Sequence, residues 1–431
     1  MADYIERDLS QAPMLFGRYS VSLYLCLVTT GPIVRIAPNE YSIDDPSAVQ
    51  VIYGSRGRFT KSSWYDASEF PGQPNIFSDH NIERHAADDC TSILCARLDE
   101  LAHAATLVDI GCWMQFYAFD VISKMTLDEP FGCLTTGKDF KGIIHTLESS
   151  LFYAARVGIY SFLHPVLFWF SMLVNAKGMD NEVKNDAEDF ITKFQRIRQE
   201  NPEKINKDDI ISSAVANISA GSDTTSISLT SVIYNLCKFL DVLAKLRNEL
   251  EDAVTAGDIT DPITFKQAQN LPYLQAVVKE ALRIHPATGL TLGRVVPEGG
   301  ATIAKRFFPA GTTVGINAWV AGRNKVVYGE DVEVFRPERW LEDMETVKRR
   351  EAYFMTFGSG PRTCFGKNIS LLEMVKVIPV LVLNYDFKAE FQGRPYRTEN
   401  VWFVKQKDFR CQVIKRHFTH TSQAFDPPGS E

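Results

Sequence analysis

Several kinds of chemistry are excluded by what this chain has little of. Its eight cysteines include no C-x-x-C pair, so they suggest a reducing compartment rather than a disulfide scaffold. His85, Cys90 and Cys95 lie near one another, but their spacing fits no common metal site, and ordinary burial accounts for them. Positive charge is in deficit, 46 Lys and Arg against 53 Asp and Glu for a net −7, which argues against a nucleic-acid partner. Low-complexity blocks, linkers and solenoid-period repeats are missing, so residues 1–431 are expected to form a single domain despite the length. Long uncharged runs are scarce too. Tyr19 to Val34 falls short of the roughly 20 residues of a spanning helix and ends in Gly-Pro, so no membrane anchor is expected in an atypical segment 1–30. Val157 to Ala176 is long enough but contains His164-Pro165. Residues 418–431 are expected to be a flexible tail.

What is present is apolar and specific. Forty-five per cent hydrophobic and 11% aromatic residues can bury a large core and an apolar cofactor. The segment F-G-S-G-P-R-T-C-F-G, from Phe357 to Gly366, puts Cys364 just before the helical run K-N-I-S-L-L-E-M-V-K-V. Unpaired N–H groups and the helix dipole there favour an anion and are expected to lower the thiol pKa. Gly358, Gly360 and Gly366 let backbone come close to something flat, and Arg362 adds a fixed positive charge. Such a loop suits a haem iron with propionates better than zinc, which would need three further ligands. A buried structural cysteine in a glycine turn is the plainer alternative.

Two further patterns stand out. In K-E-A-L-R, Glu280 and Arg283 share one helix face, ordinarily the sign of a solvated salt bridge. F-R-P-E-R-W follows at Phe335 to Trp340. Ala220-Gly221-Ser222-Asp223-Thr224-Thr225 interrupts a helical stretch, where Ser222 or Asp223 would simply be the N-cap of a new helix.

Together these segments resemble the cytochromes P-450. F-x-x-G-x-R-x-C-x-G resembles their haem-binding loop, K-E-A-L-R their E-x-x-R helix, P-E-R-W their P-E-R-F-like loop, and A-G-S-D-T-T their oxygen-activating helix. The resemblance implies a mainly α, single-domain fold with a small β region. It implies haem b with Cys364 as axial thiolate, flanked by Phe357, Gly358, Arg362 and Gly366, with Arg294 and His85 or Arg84 toward the propionates. It further implies a buried triad of Glu280, Arg283 and Arg339. Ala220 and Gly221 would leave room for dioxygen, while Asp223 and Thr224 deliver protons. NADPH would supply electrons through NADPH–cytochrome P-450 reductase, and one oxygen atom of O2 would enter a small lipophilic substrate. Trp64, Phe77, Ala216, Ala220, Thr288, Leu290, Leu292 and Trp402 would line the pocket. Val157 to Ala176 would be an apolar F–G region touching a bilayer surface, and the protein a monomer. The family sits on the endoplasmic reticulum membrane facing the cytosol. At finer grain, G-P-I-V-R-I-A-P-N-E-Y-S-I-D-D-P, Y-A-F-D-V-I and R-T-C-F-G-K-N-I-S-L-L-E-M are similar to the fungal pisatin demethylase-like group, implying secondary metabolism or detoxification.

Patterning predicts helices over Asp109–Leu127, Asp186–Gln199, Asp209–Phe239, Val242–Ala253, Tyr273–Ile284 and Lys367–Leu381. A strand pair is expected in I-V-R-I-A-P-N-E-Y-S-I, and a hairpin from A-T-I to T-V-G-I-N turning at F-P-A-G. Three departures from the family are visible. Acids follow His85-Ala86-Ala87 at Asp88 and Asp89 and are expected to face the propionates; the C–D and F–G regions look shortened; and W-V-A-G-R-N stands where relatives carry W-V-A-H-R-N. Two alternatives therefore remain open here: a shortened member with weak or no haem turnover, and a reductase-independent haem-thiolate isomerase or dehydratase.

Overall fold

Eight helices position the site in a computed structural model that describes residues 31–37, 39–54, 59–61, 83–157, 207–390 and 396–416, with residues 195 and 198. They are α1 (Pro46–Tyr53), α2 (Glu83–Ala104), α3 (Ile110–Leu127), α4 (Ile143–Val157), α5 (Lys207–Lys238), α6 (Leu240–Ala256), α7 (Pro272–Ile284) and α8 (Lys367–Asn384). Five of the six expected helices are there, with ends shifted by a few residues. The sixth, Asp186–Gln199, lies outside the described residues apart from two single positions, as do segment 1–30, the tail 418–431 and most of Val157 to Ala176.

Local chemistry sets the ends. Asp109 caps α3 by accepting from Cys112 N at 3.2 Å, and Asp45 caps α1 from Ser47 N at 2.8 Å with Pro46 at the first helical position. The 32-residue α5 is continuous through Ala220–Thr225. Neither Ser222 nor Asp223 is a cap, because the Ser222 hydroxyl turns back onto Ile218 O at 2.6 Å and the helix runs on. At about 1.5 Å per residue α5 is roughly 48 Å long and crosses the molecule. It packs closely on α3, and Gly221 makes that possible: a Cβ there would sit 2.8 Å from Ile122 Cγ1. After Lys238 the chain bends by 108° into α6. Among the described residues no single helix is long and apolar enough to cross a membrane.

The β structure is small. β1 (Ile33–Ala37) and β2 (Glu40–Ile43) form the expected antiparallel pair. They join β8 (Thr313–Gly315), β5 (Arg294–Val295) and β3 (Thr60–Lys61) in the order β1-β2-β8-β5-β3, with β2 and β8 parallel. The second hairpin differs from expectation. β6 (Ala301–Ile303) pairs with β7 (Arg306–Phe308), turning at Ala304 and Lys305, both at positive φ, while F-P-A-G merely leads to β8 in the other sheet. Pro309 and Gly311 imitate a hairpin turn, whereas the actual turn uses residues that carry no turn signature. β9 (Tyr385–Ala389) and β12 (Arg410–Lys415) form a sheet with β4 (Leu107–Asp109), and β10 (Arg397–Asn400) pairs with β11 (Val404–Lys407) near the C-terminal end.

Candidate active site

The Cys364 loop is held from several directions. Cys364 N donates to Phe357 O at 2.8 Å, and the Thr363 hydroxyl donates to the same carbonyl at 3.0 Å. Gly358 and Gly360 have φ of 70° and 71°, which favour glycine. Gly360 also lies against α1, where a Cβ would fall 1.8 Å from Tyr53 O. The loop thus presents the thiol just ahead of α8 and facing a cavity of about 330 Å³. Cys364 is accessible within that cavity, yet the surrounding protein pushes its thiol up from the ordinary value. N–H groups of Gly366 and Lys367 and the Lys367 charge pull it down without prevailing. The expected net lowering at the helix start is therefore not found, because desolvation outweighs the dipole here.

The cavity brings together much of the sequence-predicted site. Phe357, Gly358, Arg362, Cys364 and Gly366 line it from the loop, Arg294 from β5, Ala220, Gly221 and Thr224 from α5, and Thr288 and Leu292 from the segment after α7. Arg294 is buried, its Nη1 donating to Gly293 O at 2.9 Å and its guanidinium lying 5.1 Å from the Tyr53 ring centre. Ala216 and Leu290 do not reach this wall. On α5 the cavity residues are Asn217, Ala220, Gly221, Thr224, Thr225 and Ser228, a stripe of helical period whose edge is Ala220, and Ala216 lies about 40° beyond that edge and a turn away. Trp402 lines a separate crevice near β10 and β11. Trp64 and Phe77 lie outside the described residues, as do the side chains of Arg84 and His85, although His85 falls within α2.

The two carboxylates expected to face the propionates do not. Asp88 pairs with the buried Lys376 of α8 at 2.6 Å, and Asp89 with Lys124 of α3 at 3.8 Å. The register of α2 puts Ala87, Cys90 and Leu94 in the core, which turns both acids toward lysines of neighbouring helices instead of the cavity.

Behind the cysteine loop, Glu280, Arg283 and Arg339 are fully buried together. Arg283 binds both Glu280 oxygens, at 2.9 and 2.8 Å, and Arg339 Nε donates to Oε1 at 2.8 Å. Trp340 Nε1 and Arg336 N complete the carboxylate's shell at 2.9 and 3.0 Å, partners that spacing alone did not reveal. The remaining guanidinium N–H groups reach carbonyls of Gly322, Tyr328, Asp331, Val332 and Val334. Burial alone would raise the Glu280 pKa, but Arg283 and Arg339 outweigh it and hold the carboxyl below its ordinary value.

On α5 the acid and the alcohol face different ways. Thr224 lines the cavity, its hydroxyl donating to Ala220 O at 2.6 Å. Asp223 is buried and absent from the cavity wall, its Oδ1 accepting from Gln115 Nε2 at 2.8 Å and from Lys405 Nζ at 2.9 Å.

A lone thiol, mostly apolar walls and two guanidiniums match a flat hydrophobic cofactor with an iron centre and an acidic edge. Among the described residues no group of three His, Cys, Asp or Glu could hold a metal ion in another way. This donor set is the one that haem-thiolate proteins use. The comparisons with known proteins agree. A family model for cytochrome P-450 matches residues 75–409. Pisatin demethylase from Fusarium vanettenii is 35% identical, over 90% of this chain and 83% of its own length. A cytochrome P-450 monooxygenase from Aspergillus terreus is 35% identical over 83% and 82% of the two chains. The monooxygenase pkfB of Emericella nidulans is 32% identical over 90% and 84%. This chain belongs to the cytochrome P-450 family and is a haem-thiolate monooxygenase of the fungal kind.

Proposed function

We propose that the protein inserts one oxygen atom from O2 into a small lipophilic compound, in fungal secondary metabolism or detoxification, with electrons passed from NADPH by NADPH–cytochrome P-450 reductase. The observation that carries this reading is the Cys364 sulfur facing a cavity walled by Ile122, Leu282, Ala287, Leu292 and Ile369, with Arg294 and Arg362 on the same wall. Cys364 would ligate the haem iron through its sulfur, Arg294 and Arg362 would hold the propionates, and Phe357, Gly358 and Gly366 would let the macrocycle lie close to backbone. Haem bound in this way supplies oxygen activation, the thiolate donating electron density that favours O–O cleavage.

The chain's own groups supply the rest. The apolar walls exclude water and orient the substrate, with Asn217 and Thr288 among the polar groups on the wall. Thr224 holds a proton at Oγ1 on the cavity wall, and Asp223, the residue before it, replaces it. Glu280, Arg283 and Arg339 act only through folding, by fixing the strand-poor segment that carries the loop. Pisatin, the compound in one relative's name, is the first to offer as substrate.

The test is the absorption spectrum of the reduced, carbon-monoxide-bound protein. The parent is expected to show the shifted Soret band of thiolate ligation. Cys364→Ser is expected to lose that band and all turnover, and a variant that keeps it would refute the assignment.

A further inference from the structure

Asp223 is tied to a charged group that the motif around it does not announce. Lys405, on β11, reaches Asp223 Oδ1 at 2.9 Å and Glu148 Oε1 of α4 at 2.8 Å. Lys407 stands 3.7 Å from Glu148 and 3.9 Å from Glu399, and Gln115 of α3 is the other donor to Asp223. Asp223 Oδ2, deeply buried, accepts no hydrogen bond from any described residue. Beside the group is a crevice of about 40 Å³ lined by Glu148, Glu399, Trp402, Lys405 and Lys407. A space of that size admits water. The crevice lies on the hairpin side of α5, and neither Asp223 nor Lys405 touches the large cavity.

We propose that Lys405 is the positioning residue for Asp223, holding the acid toward the C-terminal hairpin so that its protons come from the crevice and not from the substrate cavity. The inference rests on the reading of Asp223 as the acid that serves Thr224. Two features of the geometry support it. An ammonium has three donors, so Lys405 can release Asp223 and still keep Glu148; with a single carboxylate, release would strand a buried charge. The open Oδ2 gives Asp223 a site at which to take a proton, and neutralising it removes the attraction to Lys405. The neutral carboxyl then turns about its side-chain bonds to the face bearing Thr224 and passes the proton to Oγ1, whose own proton moves on into the cavity. Returning as an anion, Asp223 is recaptured by Lys405, and bulk solvent reprotonates the crevice water.

The experiment uses haem-loaded protein with NADPH–cytochrome P-450 reductase, oxygen and no organic substrate, reading hydrogen peroxide formed per NADPH consumed. Lys405→Met is expected to raise the peroxide fraction and to slow water formation by about ten- to a hundredfold, as misplacement of a reacting group does. The solvent isotope effect of the variant should exceed that of the parent, and Lys405→Arg should restore parent values. Arg397→Met, on an exposed hairpin position paired with Asp408, should leave all readings unchanged. Glu148→Gln keeps the Asp223 pair and removes the alternative partner, so it should raise the peroxide fraction as well. It also covers the case in which Lys405→Met does not fold. Independently of turnover, melting temperatures of Asp223→Asn, Lys405→Met and the double variant should be strongly non-additive. If Asp223→Asn raises the peroxide fraction while Lys405→Met and Glu148→Gln stay at parent values, the positioning role is overturned and the acid role survives. A parent-like Asp223→Asn overturns the acid role itself and the inference with it. Additive melting shifts would sink the pairing.

Discussion

Two buried carboxylates, Glu280 on α7 and Asp223 on α5, are in opposite circumstances. Every lone-pair direction of Glu280 that matters is taken, by two bonds from Arg283 and one each from Arg339, Trp340 and the Arg336 amide. Asp223 uses one oxygen on two donors and leaves the other open, with its lysine shared by a second acid. A saturated network can only lock, since any movement breaks several charge-assisted bonds at once. A half-satisfied carboxylate with a shared partner can move at little cost. Their surroundings thus separate a part of the scaffold from a working group.

The comparison breaks most visibly at Glu280. Glu280→Ala leaves two buried guanidiniums without their anion, which is expected to cost about 3–5 kcal/mol and to leave little soluble haem protein. Normal yield and haem content would mean that the network is dispensable. The same carboxyl sets an acid limit. Its folded pKa lies below the ordinary 4.5, so its contribution is fully present above that value and is lost as pH falls through the folded value. Acid unfolding curves of the parent and of Glu280→Gln should therefore differ below pH 4.5 and run parallel above it.

Thr224→Ala should act on chemistry and spare the fold. Haem loading and NADPH consumption are expected to persist, while product per NADPH falls by about a hundredfold or more and peroxide rises, the usual consequence of losing a general acid. An unchanged ratio would place Thr224 among ordinary wall residues.

The smallest effect is expected at Gly322, in the segment that departs from the family's W-V-A-H-R-N. A Cβ there would lie 2.5 Å from Arg283 O, so in this chain the backbone of α7 occupies the space a histidine side chain would need. Gly322→Ala should cost about 1–3 kcal/mol, read as a lower melting temperature with unchanged haem content. No shift would show that the loop gives way.

The cysteine loop, the Glu280–Arg283 pair and the long helix were legible in the sequence because each is a local pattern of fixed spacing, whereas Arg339, 59 residues from Glu280, was expected there only from the resemblance of P-E-R-W to the family's loop. What could not be read was what lies across the fold. Lys405 is 182 residues from Asp223, and nothing in V-K-Q-K distinguishes it from a solvated lysine. On α5 the choice of Ala216 followed the i−4 neighbour of Ala220, whereas the cavity lies on the side of the i−3 neighbour Asn217, and Ser370 and Glu373 come from α8, whose facing side no local motif marks. Asp88 and Asp89 misled because charge was counted without the lysines that α3 and α8 bring to them. The Ala304–Lys305 turn carries no glycine to announce it.

The approach of Gly360 to Tyr53 bears on how the chain is made. The cysteine loop rests on α1, the Tyr53 hydroxyl receives the Ile316 amide across 263 residues, and Asn39 reaches Gly311 across 272. On a ribosome adding about 5–20 residues per second, the first strand pair waits on the order of 15–50 s for the strand it must join. Until then its apolar face and free edge have no native partner, so this early segment is where chaperones should engage the nascent chain.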